Sequence, residues 1–467
     1  MKHRLWTTLT LAAGSALMAL SATAQDASPE AAPAPEAAAA PAAEAAAAAA
    51  PALPAHATAL KLDSGDTAWM LMSTALVLLM TIPGLALFYA GMVRKKNILA
   101  TAAQSFAITA IVTVLWAVIG YSIAFTNGGD NNAYVGGLDR LFLHGMGSGV
   151  AHGLAGTIPE SVFMTFQMTF AIITPALICG AFADRMKFSA LVMFMTLWLL
   201  IVYAPVAHWV WAGGFLGSMG VLDFAGGTVV HFNAGVAGLV CSLVLGPRLG
   251  HGEEDMSGHN LLYALIGASL LWVGWFGFNA GSAVAANELA GTAMANTQIA
   301  AAAATVSWMM IEWLIAKKPS ILGMLSGAVA GLVAITPAAG FVAADGALII
   351  GLIAGVVCYL SAVWLKRMLG YDDSLDAFGI HGIGGAVGAV LTGVFALSAV
   401  NPLGKGLIDG KADQVYLQVQ GLLYAGIYCA IVTFAILMVV KITIGLRVSA
   451  EEELEGLDMT QHGERVA

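Results

Sequence analysis

Apolar residues in this chain come in long unbroken blocks, not in the short periodic stripes that cover a soluble core. From Ala68 onward there are about eleven such blocks of roughly 20 residues, each long enough to cross the hydrocarbon of a bilayer as a helix that satisfies its own backbone. They lie near 68–91, 99–125, 158–183, 188–207, 226–246, 261–284, 293–316, 319–341, 346–365, 375–398 and 417–446. The basic residues between them alternate. Arg94, Lys95 and Lys96, then Arg185 and Lys187, then Arg248, then Lys317 and Lys318, then Lys366 and Arg367 occupy every second gap, and Arg447 follows the last block. The intervening gaps hold only Arg140, Lys405 and Lys411. Since cytoplasmic loops carry the excess of Lys and Arg, this predicts an odd number of spans, with the mature N-terminus outside and the C-terminus in the cytoplasm. The expected fold is an all-α integral membrane protein of about eleven transmembrane helices.

The start of the chain has a different pattern. Lys2, His3 and Arg4 precede an apolar run from Leu5 to Leu20, and Ala22-Thr23-Ala24 has the A-x-A form of a signal peptidase site. Residues 1–24 therefore read as a signal peptide, cleaved after Ala24. Residues 25–66 are dominated by Ala, Pro and Glu, a composition with little to pack, and read as a disordered linker. The transmembrane domain is expected over 67–446 and a cytoplasmic tail over 447–467.

Composition agrees with this layout and excludes other classes. The 467 residues are 59% hydrophobic and only 10% charged, with a mean hydropathy of +0.84, which cannot make a soluble surface. The 54 glycines suit helices that approach closely in lipid. The net charge of -9 comes largely from the N-terminal Ala/Pro/Glu stretch and a Glu-rich C-terminus, and nothing points to nucleic acid. Cys179, Cys241, Cys358 and Cys429 lie inside apolar runs without metal-ligand spacing and read as small buried hydrophobes. No metal and no cofactor is expected.

An internal repeat brings in chemistry. Asp223-x7-His231 enters the fifth block and Asp373-x7-His381 enters the tenth; Gly235 and Gly385 follow four residues after each histidine, and Gly238 and Gly388 follow seven after. The alternating topology makes the two copies inverted about the membrane plane, as in transport folds built from inverted repeats. Two five-helix repeats plus a final helix are thus predicted. Each histidine would lie about 8–10 Å inside its helix, approaching the midplane from opposite faces. An ionisable group at that depth usually faces a pathway; the plainer alternative for each is a core histidine hydrogen-bonded to backbone.

The segment Asp223-Phe224-Ala225-Gly226-Gly227-Thr228-Val229-Val230-His231-Phe232-Asn233-Ala234-Gly235 resembles the signature of the Amt/Mep/Rh ammonium transporter superfamily. Gly274-Trp275-Phe276-Gly277-Phe278-Asn279-Ala280-Gly281-Ser282 and Asp376-Ala377-Phe378-Gly379-Ile380-His381-Gly382 resemble that family's sixth-span and second-histidine patterns. The resemblance runs from about Thr67 to Glu464 and implies trimers of eleven-span subunits, each with its own narrow pore. It implies an outer ammonium site at Trp211, Ser282 and Phe170, where aromatic faces attract a cation and a hydroxyl accepts a hydrogen bond. Phe166, one turn from Phe170, is expected to add an aromatic wall. Phe170 and Phe278 match a stacked gate, His231 and His381 match paired pore histidines, and Asp223 and Asp373 are expected to be structural, accepting backbone N–H groups at helix N-termini.

The tail, Gly445-Leu446-Arg447-Val448 followed by Glu451-Glu452-Glu453 and Glu455-Gly456-Leu457-Asp458, resembles the family's cytoplasmic tail and implies a PII-type regulatory partner; a solvated charged tail is the alternative. The expected function is transport of ammonium or ammonia across an inner membrane in a homotrimer, as part of nitrogen metabolism. A membrane ammonium sensor signalling through a PII-type partner is the second hypothesis. An enzyme is not expected, because the chain carries no H-E-x-x-H, paired cysteines or nucleophile elbow.

Overall fold

The computed structural model describes residues 53–466. The signal peptide read over 1–24, and the greater part of the linker read over 25–66, lie outside them. Within them, eleven apolar helices follow in the order of the hydrophobic blocks: α1 Ser64–Met92, α2 Lys95–Phe125, α3 Glu160–Ala181, α4 Phe188–Ser218, α5 Gly227–Leu245, α6 Leu261–Gly281, α7 Glu288–Ala316, α8 Ile321–Ile335, α9 Ala344–Leu369, α10 Phe378–Phe395 and α11 Asp413–Thr443. Their outward faces carry exposed apolar side chains such as Phe106, Val114, Leu243, Val273, Leu314 and Phe434, as a surface solvated by lipid requires. The protein is a multi-pass membrane protein.

The two halves repeat each other. α3 packs on α1 and on α5, and α8 packs correspondingly on α6 and on α10; α1 and α6 pack together, and α11 lies against both α5 and α10. The eleven crossings put the two ends of the bundle on opposite sides. We call the side with the segment before α1 the N-face and the side with the segment after α11 the C-face.

Two departures from the hydrophobic pattern have local causes. α8 is shorter than the block 319–341, because residues 336–342 leave the helix at Pro337, whose ring provides no N–H. The carbonyls this leaves are satisfied by another helix: Asn296 Nδ2 on α7 donates to Ala339 O at 2.9 Å and to Val342 O at 2.8 Å. Irregular backbone at membrane depth survives only when buried in protein in this way. The second departure is at the N-terminus, where the last part of the expected linker is structured. β1 (Ala57–Ala59) pairs antiparallel with β2 (Val150–His152), and the His56 ring before it is buried 3.6 Å from Glu160 and 3.9 Å from Asp139. Residues 57–66, read as part of the disordered linker, are therefore structured.

Charged residues are confined to the two faces. On the N-face, Arg140 and Glu160 form a buried bidentate pair at 2.9 and 2.7 Å, joined by the Tyr121 hydroxyl at 3.1 Å. On the C-face, Arg248 holds Asp372 through its backbone N–H, Nε and Nη2 at 2.7–2.9 Å. Burial would raise the Asp372 carboxyl, but the Arg248 guanidinium outweighs it and keeps it well below the usual carboxylate range. The tail forms α12 (Ala450–Glu455), opened by a capping box between Ser449 and Glu452, and α13 (Leu457–His462). It is docked on the C-face, not solvated: Arg447 and the Leu249 N–H hold Glu453, and the Asp458 carboxylate accepts the Ala100 N–H at 2.8 Å.

Candidate functional site

The repeated sequence motif is a repeated structure. The Asp223 carboxylate accepts the N–H groups of Gly226, Gly227, Thr228 and Val229 at 2.7–3.0 Å, covering the donors that open α5. Asp373 does the same for α10 through Ala377 and Phe378, at 3.0 and 2.7 Å. The residue three places after each aspartate has a positive φ: Gly226 at 115° and Asp376 at 58°. At Asp376, a non-glycine in this sparsely populated region, the carboxylate is paired with Lys366. Each helix then begins with a wide π-type turn, Gly227–Phe232 and Phe378–Gly382, and each turn carries the histidine.

The glycines four residues on explain how the two turns meet. A Cβ on Gly235 would overlap the backbone of Gly382, next to His381. A Cβ on Gly385 would sit 2.7 Å from Gly227 O and 2.8 Å from Phe232 N, against the turn of His231. With hydrogen at both positions the helices cross closely enough for the rings of His231 and His381 to stack, 5.4 Å apart and 17° from parallel.

Other rings extend this pair into a column. Phe278 lies 5.8 Å from His231 toward the N-face, Phe170 stacks on Phe278 at 4.1 Å, and Trp211 meets Phe170 edge-on at 6.0 Å. Trp275 flanks His231 at 5.2 Å and is fixed by its Nε1 donating to Thr336 Oγ1 at 2.9 Å. Phe170 and Phe278 are 1% and 0% exposed, so an apolar constriction separates the histidines from the N-face. Such a constriction turns back hydrated ions.

Above the constriction is a cavity of about 300 Å³ lined by Trp211, Phe170, Ser282, Asp223, Gln167 and Phe163, among others. Trp211 Nε1 donates to Asp223 O at 2.9 Å, and Ser282 Oγ donates to Phe278 O at 2.8 Å. With its proton committed, the Ser282 hydroxyl offers lone pairs to the cavity. Phe166 is placed differently from expectation. It is fully buried behind Phe170, edge-to-face at 4.9 Å, and is not among the lining residues. On α3 the residues that face the cavity are Phe163, Gln167 and Phe170, at helical spacings of four and three.

Hydrogen bonding separates the histidines into two kinds. The His152 ring reaches Phe125 O at 2.9 Å and accepts the Leu154 N–H, and His208 reaches Ala124 O and Asn132 O at 3.0 and 2.7 Å. These are satisfied core histidines. His231 and His381 are 1% and 4% exposed, yet neither ring nitrogen of His231 and not Nδ1 of His381 has a protein partner. A third buried ring, His56, also lacks a hydrogen bond but faces the carboxylates of Glu160 and Asp139 at 3.6 and 3.9 Å on the N-face, so the buried rings with free nitrogens and no carboxylate beside them are the two on the column axis. Each neutral imidazole offers one donor and one acceptor there. Among the described residues no group of His, Cys, Asp or Glu is arranged to hold a metal ion, and the four cysteines are free and buried. Reasoning from sequence did not single out Gln167, Phe163 or the flanking role of Trp275; the signal for Gln167 was a lone amide in an apolar helical stripe.

Comparison with known proteins gives a consistent picture. Residues 68–467 match the model of the Ammonium Transporter Family. An ammonium transporter of Bacillus subtilis (strain 168) is 51% identical over 402 residues, covering 86% of this chain and 98% of its own. The crystal structure of Saccharomyces cerevisiae Mep2 superposes with a TM-score of 0.78 at 36% identity, over 84% of this chain and 89% of Mep2. A structure described as a sensor Amt protein superposes with a TM-score of 0.79 at 28% identity, over 85% and 98%.

Proposed function

The chain belongs to the ammonium transporter family, and from that premise we propose how it carries ammonium across the membrane. Ammonium is captured in the N-face cavity by the faces of Trp211 and Phe170 and the lone pairs of Ser282. It gives up a proton at the Phe170–Phe278 constriction, the free ring nitrogens of His231 and His381 accept and relay that proton, and ammonia passes along the same two rings. The observation that carries this reading is the continuous ring column, in which two stacked buried imidazoles with free nitrogens lie directly behind the constriction. An ammonium ion has a large desolvation cost at the bilayer centre and neutral ammonia a far smaller one, so a low-dielectric path favours losing the proton. Neutral imidazoles suit that path because they hydrogen-bond a small neutral molecule without repelling its charged precursor.

Asp223 and Asp373 act in this scheme as caps that hold the two histidine turns. The N-face is the outside and the C-face the cytoplasm of an inner membrane, a reading supported by the basic loops between α1 and α2, α3 and α4, and α9 and α10. Residues 1–24 direct the chain there and are removed. The subunit works in a homotrimer, and its docked tail and C-face loops receive a PII-type regulator. The chemistry is transport, not enzymatic conversion. A sensor that transports little is not favoured, since identity is 51% to an ammonium transporter and 28% to the sensor Amt protein.

The test is ammonium-evoked current on a solid-supported membrane, using proteoliposomes of the wild type and of a variant with His231→Ala and His381→Ala. A wild-type current that the double variant loses, or replaces with poorly selective conduction, is the expected result. Equal selective currents from both proteins would remove the histidines from the mechanism.

A further inference from the structure

We propose that Gln167 is the second hydrogen-bond acceptor of the N-face cavity and sets its preference for ammonium over alkylated amines; this rests on that cavity being the capture site. The polar groups lining the cavity can be accounted for one by one. Both carboxylate oxygens of Asp223 are taken by four backbone N–H groups. Trp211 has given its N–H to Asp223 O. The Asn401 carbonyl accepts the Leu403 N–H at 3.1 Å. Ser282 has committed its proton to Phe278 O and retains its lone pairs. That leaves Gln167, whose Oε1 has no hydrogen-bond partner in the protein and, as the amide stands, is packed out of contact with the cavity; a half-turn of the amide exchanges Oε1 with Nε2 and presents the acceptor to a bound ion.

A buried amide oxygen without a partner is unusual, because native structures pair such groups. Its position makes the exception informative. Gln167 lies between Phe163 and Phe170 on the stripe of α3 that faces the cavity, and all three line it. An apolar residue would fill that place at lower desolvation cost. Ammonium has four donors and no acceptor, so a site with two free acceptors and aromatic walls suits it: two N–H groups bond to Ser282 Oγ and Gln167 Oε1, while the charge rests on the ring faces. Each methyl group on nitrogen removes a donor and adds apolar volume. Methylammonium keeps three N–H groups, enough for both acceptors, so the discrimination lies in where its methyl group goes: beside Gln167 it meets a polar amide, whereas an apolar side chain in that place would offer it a partner.

The experiment is uptake of labelled methylammonium into proteoliposomes and its competition by ammonium, which reads both affinities whether or not net charge moves. Full-length wild type, Gln167→Met, Gln167→Glu and Trp211→Leu are compared. Gln167→Met, similar in shape without the acceptor, should weaken competition by ammonium about tenfold, the worth of one charge-assisted hydrogen bond, while half-saturation by methylammonium moves less. Gln167→Glu keeps an acceptor and adds a charge, so ammonium should compete at least as well as in wild type. If Gln167→Met leaves ammonium competition unchanged, or Gln167→Glu weakens it, while Trp211→Leu impairs both substrates, the Gln167 proposal fails and the capture site stands. If Trp211→Leu has no effect either, the capture-site reading itself fails.

Discussion

Gly235 and Gly385 press reciprocally on each other's helix: Gly235 lies against Gly382 beside His381, and Gly385 against Gly227 and Phe232 around His231. The stacking of the two imidazoles thus depends on two missing Cβ atoms. Gly235→Ala and Gly385→Ala should each push α5 and α10 apart by a few tenths of an ångström or more. Overpacking of this kind costs about 1–3 kcal/mol. The expected outcome is a lower melting temperature in detergent together with impaired ammonium uptake by the protein that remains folded. Full uptake with unchanged stability would show that the crossing has slack.

The two capping aspartates should differ in weight. Asp223 accepts four N–H groups and Asp373 two, and a buried donor left without a partner costs about 1–3 kcal/mol. Asp223→Ala is therefore expected to destabilise more than Asp373→Ala, with Asp223→Asn intermediate. Thermal unfolding of the three purified variants ranks them; an equal or reversed order would mean that the caps are not what holds the turns.

Much of this could be read along the chain, for a physical reason: a bilayer forces each crossing to be a long apolar helix, so helix number and order follow from hydropathy alone. The histidine pair was legible because inverted repetition of Asp, His, Gly and Gly is a pattern, and patterns need no coordinates. What was missed depends on partners distant in sequence. The apolar block runs on to residue 341, but the helix stops at Pro337, and the irregular backbone beyond it is tolerated because Asn296 on another helix takes the carbonyls of Ala339 and Val342. The strand at Ala57–Ala59 exists because Val150–His152 lies beside it. Phe166 and Gln167 are neighbours in sequence, and only the rotation of α3 decides that the second, not the first, faces the cavity.

Acid should loosen that strand. His152 in β2 is buried against Phe163, with His56, Arg140 and Glu160 as its charged or titratable neighbours. Burial lowers its pKa from 6.5 to about 4, against the Phe125 carbonyl, which favours the charged form. A depressed folded-state value means that the neutral ring's contribution is fully present above about pH 6.5 and is lost as pH falls toward 4; over that window it amounts to roughly 3 kcal/mol. Protonation also removes the acceptor for the Leu154 N–H. Protection at residues 57–59, the intrinsic exchange rate at each pH relative to the observed rate, should therefore fall between pH 6.5 and 4 in the wild type. In His152→Gln, which cannot titrate, the intrinsic pH dependence of exchange alone should remain.

The Arg140–Glu160 pair on the N-face gives the sharpest contrast between breaking an interaction and replacing it. Its side chains are 2% and 0% exposed, with both guanidinium–carboxylate contacts under 3 Å. Removing one charge strands the other in a low-dielectric site, so Glu160→Gln and Arg140→Met should each cost about 3–5 kcal/mol. The double variant Arg140→Met with Glu160→Gln leaves no buried charge, and should recover part of that loss. The comparison is a double-mutant cycle on thermal unfolding in detergent. Additive losses, with no recovery in the double variant, would mean that the two groups stabilise the N-face through their separate contacts, Tyr121 for Glu160 and the His144 carbonyl for Arg140, and not through each other.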